Sequence, residues 1–517
     1  MARSSGAAGL LLAGVGLGSR SAMEEGISAL ASAGIRAFLL PGILLSDPGL
    51  LASLSASARR AAAAAGLGEA LVALGGAASP GFGLPYCQEV LSPLGLAALR
   101  SRRAAFRSVR RLGRSLAAGG VDLVLGPRLD LASDPKDPAG VLDRFGEEPE
   151  LAGLLAAAFV RGLASTGAAA CVGRFPGLGA ARAGNGDGVP SVCLPAERLE
   201  AVEMRPFERA ARARAGAVLV GRALVPALEP ERIPAARSAR VIEGRLREAL
   251  GFRGLVVGDD LCDEADPAEA ALLGALAGCD LGLVSRAGDA LAAAKALEAA
   301  ASSGKLPLAR VAVARRRLDA FLATRALAKA ARAAAAVETR PGRIERDREE
   351  SLTLLKGDLA PRGEGGRRLV LAFLPGPGLP EAALIPEAAA AIREGLPGAE
   401  IVFLPADPSP AEVRELAERV APAGQGGARY GSAVALTYDA HFKPAQEGLA
   451  RLVEESVPDF CVVAMRDPYD AAFFPRARGL AAAYGFSRPV LAAVARLLSG
   501  GGSPRGRCPV EVIGLEV

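Results

Sequence analysis

The feature that most constrains this chain is an alternation repeated eight times in roughly its first 290 residues. A short apolar run ends at a glycine or polar turn, and an Ala/Leu/Arg stretch of helical character follows. The runs are Leu10–Gly14, Ala37–Leu40, Leu71–Leu74, Leu123–Gly126, Ala169–Val172, Ala217–Gly221, Leu255–Gly258 and Leu281–Ser285. Between them, segments such as Ala98–Ala118 and Pro149–Ser165 carry apolar residues at three-to-four spacing. Runs that are apolar throughout suit strands buried on both faces, hence parallel strands covered by helices. Eight such units predict an α/β fold with a TIM-type (β/α)8 barrel over residues 1–335. The same repetition is also open to a doubly wound sheet.

The stretch 336–366 breaks the pattern. Its ETRPGRIERDREE and APRGEGGRR segments cluster charge, Gly and Pro, and read as a linker or as a connecting helix plus loop. From 367 to 517 a smaller α/β domain is expected, with apolar runs Leu369–Leu374, Ile401–Leu404, Ala433–Thr437 and Phe460–Met465. The Ala7–Gly18 stretch behind Arg3 has the look of a signal segment, but reads as the first barrel strand, so a cytoplasmic location is expected.

Composition removes several function classes. Sixty-one basic and 56 acidic residues leave a net charge of +5, which gives no reason to expect nucleic acid as a partner. No uncharged apolar stretch is long enough for a membrane span. The seven cysteines stand singly, at 87, 171, 193, 262, 279, 461 and 508, without C-x-x-C spacing, so neither a disulfide framework nor a metal cage is expected. The chain has one histidine, His441. That excludes paired-histidine zinc sites and most serine or cysteine triads. No metal or cofactor is expected.

In a barrel, chemistry sits in the loops after the strands. After the fourth run stands Gly126-Pro127-Arg128-Leu129-Asp130, and after the fifth Gly173-Arg174-Phe175-Pro176-Gly177-Leu178-Gly179. The sixth is followed by Arg222, and the seventh by Asp259-Asp260-Leu261. Two adjacent carboxylates after a buried strand suggest one facing the barrel mouth and one bracing the loop. A helix cap accounts for such an aspartate equally well. Arg128, Arg174 and Arg222 at the mouth would suit an anionic ligand, or would pair with Asp130, Asp259 and Asp260.

These loops, in this order, resemble family 3 glycoside hydrolases, above all their bacterial β-N-acetylglucosaminidase branch. The hallmark K-H-F-P-G-H-G corresponds to Gly173 through Gly179, E-L-x-P-F to Glu203 through Phe207, and P-V-x-D to Pro127 through Asp130. The long L-R…G-F-x-G…S-D-D-L stretch corresponds to Leu246-Arg247 through Leu261, and A-G-x-D to Ala277 through Asp280. In the C-terminal domain Arg466-Asp467-Pro468-Tyr469-Asp470 is similar to R-x-P-Y-D, and Ala483-Tyr484 and Gly506 through Val510 are similar to the family's closing segments.

The resemblance implies a retaining glycosidase of O-glycosyl bonds on N-acetylhexosamine-type sugars, with Asp259 at the nucleophile position. It implies Asp130, Arg174 and Arg222 as substrate-binding positions. It also marks departures. The branch's D-S-H acid/base loop falls on Gly184-Asn185-Gly186. The hallmark Lys and two His are Gly173, Arg174 and Leu178, and the Ser before Asp259 is Gly258. The M-x-x-H after strand six reads Leu219 through Arg222. The D-x-E-G-G-R loop has no counterpart in Gly75–Gly83, and R-S-F-G appears as Asp143-Arg144-Phe145-Gly146. Asp187, one residue beyond the mapped histidine position, is a candidate surrogate acid or a solvated loop residue, and Glu89 is a lesser candidate. His441 follows a strand of the second domain, where a structural role is expected. Two readings stand: a glycosidase acting through Asp259, or a catalytically silent relative that binds a glycan or anionic ligand or serves as a scaffold.

Overall fold

The computed structural model describes residues 6–75, 90–137, 141–182, 188–333, 342–360, 367–376, 382, 384–420 and 429–515. All eight expected runs are strands. They are β1 (Leu11–Gly14), β2 (Ala37–Pro41), β3 (Leu71–Gly75), β4 (Leu123–Arg128), β5 (Ala169–Phe175), β6 (Ala217–Val220), β7 (Leu255–Gly258) and β8 (Leu281–Val284). Each pairs parallel with the next, and β8 pairs with β1, so the barrel is closed rather than open.

Neighbours along a strand alternate between faces, so closure divides them into an inward and an outward set, except where β4 and β5 shift register at Leu125/Gly126 and Gly173/Phe175. One face of the strands forms a continuous cluster: Leu12, Ala37 and Leu39, Leu71 and Ala73, Leu123 and Leu125, Ala169 and Cys171, Ala217 and Leu219, Leu255 and Val257, Leu281 and Leu283. These i, i+2 pairs fill the interior in layers. Residues of the other parity, such as Phe38, Val72, Val124, Val172, Val218 and Val256, are equally buried. Burial on both faces is why these runs read as unbroken apolar stretches.

The second sheet has the order β11-β10-β12-β13-β14-β9. Its strands are β9 (Thr353–Lys356), β10 (Arg367–Leu374), β11 (Glu400–Pro405), β12 (Tyr430–Thr437), β13 (Phe460–Ala464) and β14 (Gly479–Ala482). Five run parallel and β9 is antiparallel at the edge. Taken from β10 onward, the parallel strands follow the 2-1-3-4-5 order of doubly wound folds.

The division of the chain departs from a simple linear one. One compact unit comprises the described residues within Met1–Leu84, Ala105–Asp134 and Pro149–Glu338. The other comprises those within Pro85–Ala104, Pro135–Glu148 and Thr339–Val517. Two excursions from the barrel's part of the sequence therefore belong to the second unit. Polar anchors hold them there: Ser92 Oγ donates to Tyr484 O at 2.6 Å, and the Arg507 amide donates to Ala98 O at 3.0 Å. The 336–366 stretch, read as a linker or as a connecting helix plus loop, contains helix Arg343–Ser351 and also strand β9. The buried side chains of Ile344, Leu352 and Leu355 give this stretch an apolar face to pack, which its high charge obscures in the sequence. The six described cysteines are free, and no helix of the described residues is long and apolar enough to cross a membrane.

Glycines mark where the barrel is tightest. A Cβ at Gly14 would lie 2.1 Å from the Ser285 carbonyl oxygen, so β1 and β8 would have to part. Gly14→Ala is expected to cost about 1–3 kcal/mol through overpacking and to lower the melting temperature in calorimetry. Gly16→Ala, with nothing within 4 Å of its Cβ but a φ of +82°, should lose only about 1–2 kcal/mol of left-handed strain, and should leave the β1–β8 amides protected from exchange where Gly14→Ala does not.

Candidate active site

The mouth of the barrel is the layer just beyond the apolar interior. Extending the inward parity by one position puts Gly14, Pro41, Gly75, Gly221, Asp259 and Ser285 at the ends of β1, β2, β3, β6, β7 and β8. In that set Asp259 is the only ionisable residue. Three glycines and a proline around it leave space. A cavity of about 340 Å³ opens at the ends of β1, β2, β3 and β8, lined by Gly14, Leu39, Pro41, Gly75, Ser285 and Arg286, among others; Asp259 is not among its lining residues. That volume lies at the lower end of small-molecule sites. The cavity walls were not singled out from the sequence, although the period-two pattern of each strand points to them.

Asp259 is 9% exposed. Its Oδ2 accepts the Arg222 amide at 3.0 Å and its Oδ1 accepts the Asp260 amide at 3.0 Å. Burial pushes its carboxyl above the usual aspartate range; the Arg174 charge and the two amides pull the other way without cancelling the shift. Asp260 has the second of the two roles expected for the pair. Its Oδ1 accepts the amides of Cys262 at 3.1 Å and Ser285 at 3.0 Å, capping the turn Leu261–Asp263 and tying β7's loop to the end of β8. Gly258, of outward parity, leaves a cavity of about 20 Å³ behind Asp259, bounded by Cys279 and Gly274 among others.

Asp130 is the anchor of the loops after β4 and β5. Its side chain is fully buried. Oδ2 accepts from Arg128 Nε at 2.9 Å and lies 3.5 Å from Arg174 Nε, while Oδ1 accepts the Leu178 amide at 2.8 Å. The turn it holds is tight: Gly177 has a φ of +115°, and a Cβ at Gly179 would fall 1.9 Å from Leu131 O. Beneath Gly177 lies Glu203, whose carboxyl is pushed up by burial, with the neighbouring Asp130 charge adding to the shift; the Arg198 charge opposes it.

Arg222 turns away from the mouth. The inward position beside it is Gly221, where a Cβ would meet Leu178 at 2.4 Å. The guanidinium donates to Asp263 O at 3.0 Å and lies 3.9 Å from Glu264, which Arg237 also pairs with. Arg128 and Arg174 thus pair with Asp130, as the alternative to anion binding expects, whereas the Arg222 guanidinium engages Asp263 O and Glu264 rather than Asp259 or Asp260. Arg144 of the Asp143–Gly146 segment is likewise wholly buried and paired with Asp137 in the second unit. Asp187, Glu89 and the Gly184-Asn185-Gly186 segment lie outside the described residues. His441 is in the second unit, with Nδ1 2.7 Å from Asp470. Among the described residues no group of three or more His, Cys, Asp or Glu side chains could hold a metal ion.

Residues 90–320 match the family described as Glycosyl hydrolase family 3 N terminal domain. A β-hexosaminidase of Pseudomonas aeruginosa is 38% identical over 176 residues, 32% of this chain and 51% of that protein. One from Xanthomonas axonopodis pv. citri is 34% identical over 209 residues, 39% of this chain and 59% of that protein. The chain spans about half the length of the curated relatives it matches. Among solved structures, a glycoside hydrolase family 3 β-N-acetylglucosaminidase from Paenibacillus sp. superposes with a TM-score of 0.84 at 26% identity, over 99% of both chains. A β-glucosidase from Listeria innocua, 18% identical with a TM-score of 0.70 over all of this chain and 75% of its own, shares the fold.

Asp130→Asn tests the anchor. Removing one member of a buried ion pair costs about 3–5 kcal/mol, so the variant should unfold at markedly lower denaturant, and the loops after β4 and β5 should lose amide protection first.

Proposed function

Since residues 90–320 match glycosyl hydrolase family 3 and the chain resembles its β-N-acetylglucosaminidase branch, we propose that its barrel binds a neutral glycan at the mouth, with Asp259 as the group that attacks the anomeric carbon. The observation that carries this reading is the position of Asp259: the inward-parity carboxylate at the end of β7, held by two backbone amides, in the same strand-end layer as Gly14, Pro41, Gly75 and Ser285, which line the larger cavity. Leu39 and Pro41 supply an apolar wall of the kind that covers the carbon face of a pyranose. The amides of Arg222 and Asp260 orient the carboxylate. They also stabilise its ionised form, the form needed for attack.

The substrate class, N-acetylhexosamine-type glycosides, comes from the relatives. In a retaining mechanism the carboxylate forms a glycosyl-enzyme while a second group protonates the leaving oxygen. The positions matching the family's histidine dyad hold Gly184 and Gly186, so proton delivery falls to another group, with Asp187 the nearest acid in sequence. Without an efficient acid, leaving groups that need no proton should react and ordinary glycosides should not. With no base to activate water, the glycosyl-enzyme should persist.

A second reading is favoured by a separate observation. Arg174, standing at the family's first histidine position, pairs with Asp130 rather than presenting a titrating group. On that reading the barrel binds a glycan without turnover, or serves as a scaffold. The engagement of Arg128, Arg174 and Arg222 favours a neutral ligand over an anionic one.

The test is intact-protein mass spectrometry with an activated aryl N-acetyl-β-glucosaminide. An adduct of one sugar should form on the native chain and be missing from Asp259→Asn. Its rate should rise with pH, with a midpoint above the ordinary aspartate value of 3.8, because the protonated acid cannot attack. Absence of both adduct and turnover, together with thermal stabilisation by free sugars, would leave the binding-only reading. Silence in both assays would leave the scaffold role.

A further inference from the structure

The carboxyl ends of β12 and β13, in the second unit, bring three buried aspartates around the chain's one histidine. His441 donates twice to Asp470 Oδ1, from Nδ1 at 2.7 Å and from its amide at 3.1 Å. Its side chain is 6% exposed and that of Asp470 is fully buried. The ring packs against Phe442, with centroids 4.0 Å apart, and edge-on to Tyr469 at 5.8 Å. Asp439 pairs with Arg466, whose guanidinium lies over the Tyr438 ring. Helix Pro444–Ser456, packed against this turn, presents the uncharged Gln446 to the backbone of Tyr438, while its Glu447 pairs with Arg451.

Asp467 reaches a different part of the chain. Both of its oxygens accept the Val141 amide, at 3.3 Å each. Val141 lies within the second excursion described above. That segment's far end is held by Glu147, whose amide donates to Pro509 O at 3.1 Å. Gly146 has a φ of +87°, and a Cβ there would fall 2.2 Å from that same oxygen. Between these two ends the Leu142 carbonyl accepts the Leu94 amide at 3.2 Å, so among the described residues the 141–147 stretch is tied at several points, one of them a carboxylate inside the histidine cluster.

We propose that His441 is a proton-linked positioning residue: as imidazolium it holds the Asp470–Asp467 pair in place and thereby the 141–147 segment, and loss of its proton loosens that segment. Three carboxylates face one arginine in this cluster, and the imidazolium supplies the second positive charge. Removing it leaves buried carboxylates to repel one another at short range. The proposal goes beyond the proposed function and holds whether or not the barrel turns over a glycoside.

The direction of the pH effect follows from the groups themselves. Burial pulls the imidazole down, but the Asp470 hydrogen bond and the charges of Asp470, Asp467 and Asp439 outweigh it, so the ring stays protonated above its usual 6.5. Burial and the Asp467 charge push Asp439 up to about 7, and burial raises Asp467. A raised histidine stabilises fully below 6.5 and loses its contribution as pH rises through its folded-state value. The raised aspartates have the same sign: their ionisation costs stability as pH climbs from 3.8 toward about 7. Mild acid therefore tightens the segment and alkali releases it.

With one histidine in the chain, long-range ¹H–¹⁵N NMR of the untagged, ¹⁵N-histidine-labelled full-length protein reads this imidazole alone. Its midpoint should lie above 6.5, and Asp470→Asn should move it down. Amide exchange of the 141–147 peptide, corrected for intrinsic rates, should accelerate across the same midpoint, about tenfold for each unit by which the histidine is raised. His441→Gln should abolish that step. A midpoint at or below 6.5, a midpoint indifferent to Asp470→Asn, or exchange at 141–147 that ignores the imidazole titration would each overturn the proposal. The first and third measurements use the native chain, so they stand even if the variants fold poorly.

Discussion

Closure of eight short parallel strands is the constraint from which the candidate site follows. Where the strands run without a shift in register, side-chain alternation and the layered filling of the interior set which way each strand-end residue points; β4 and β5, shifted at Leu125/Gly126 and Gly173/Phe175, are the exceptions. Leu255 and Val257 are inside, so Asp259 must face the mouth and Gly258 the helices. Ala217 and Leu219 are inside, so the inward position after β6 belongs to Gly221, and Arg222 is turned toward Asp263 and Glu264. One residue of register therefore separates a side chain facing the mouth from a bracing one.

Arginine is the main partner of the buried carboxylates in this unit. Asp130 faces Arg128 and Arg174, Asp280 faces Arg247, Arg310 and Arg317, and Asp122 faces Arg59. Such pairs hold loops in a defined place, and the charge of arginine does not change with physiological pH. Asp259 is the contrast. Two backbone amides hold it, with the Arg174 charge acting on it, and its carboxyl stays above the usual range. Buried carboxylates are structural where guanidinium groups saturate them, and available for chemistry where only amides orient them.

Much of this was legible from residues alone. The eight apolar runs are the eight strands, within one to three residues at their ends, because burial on both faces leaves an uninterrupted apolar signature. The split of roles between Asp259 and Asp260 was also legible, since a carboxylate at a turn after a strand has few other partners. Less visible was β9 inside a charged stretch, beside helix Arg343–Ser351, which is one of the two readings of that stretch. Its apolar face is short, and charged side chains on the solvent side dominate the local composition. The assignment of the described residues within 85–104 and 135–148 to the second unit left no local mark at all, because hydrogen bonds that hold them there join residues some 300 to 400 positions apart.

The sequence by itself determined the architecture, the order of the loops and the survival of a single carboxylate where the resembling family has its nucleophile. Those properties rest on local periodicity and on which residue types occupy strand ends. Only the tertiary structure decided which arginines face the mouth, which carboxylates are already saturated, and what surrounds the lone histidine. His441 is unremarkable in its own segment. It stands among three aspartates because β12 and β13 are neighbours and the 468–473 turn folds back over them. Charge proximity of that kind depends on strand order and burial, which no stretch of residues encodes alone.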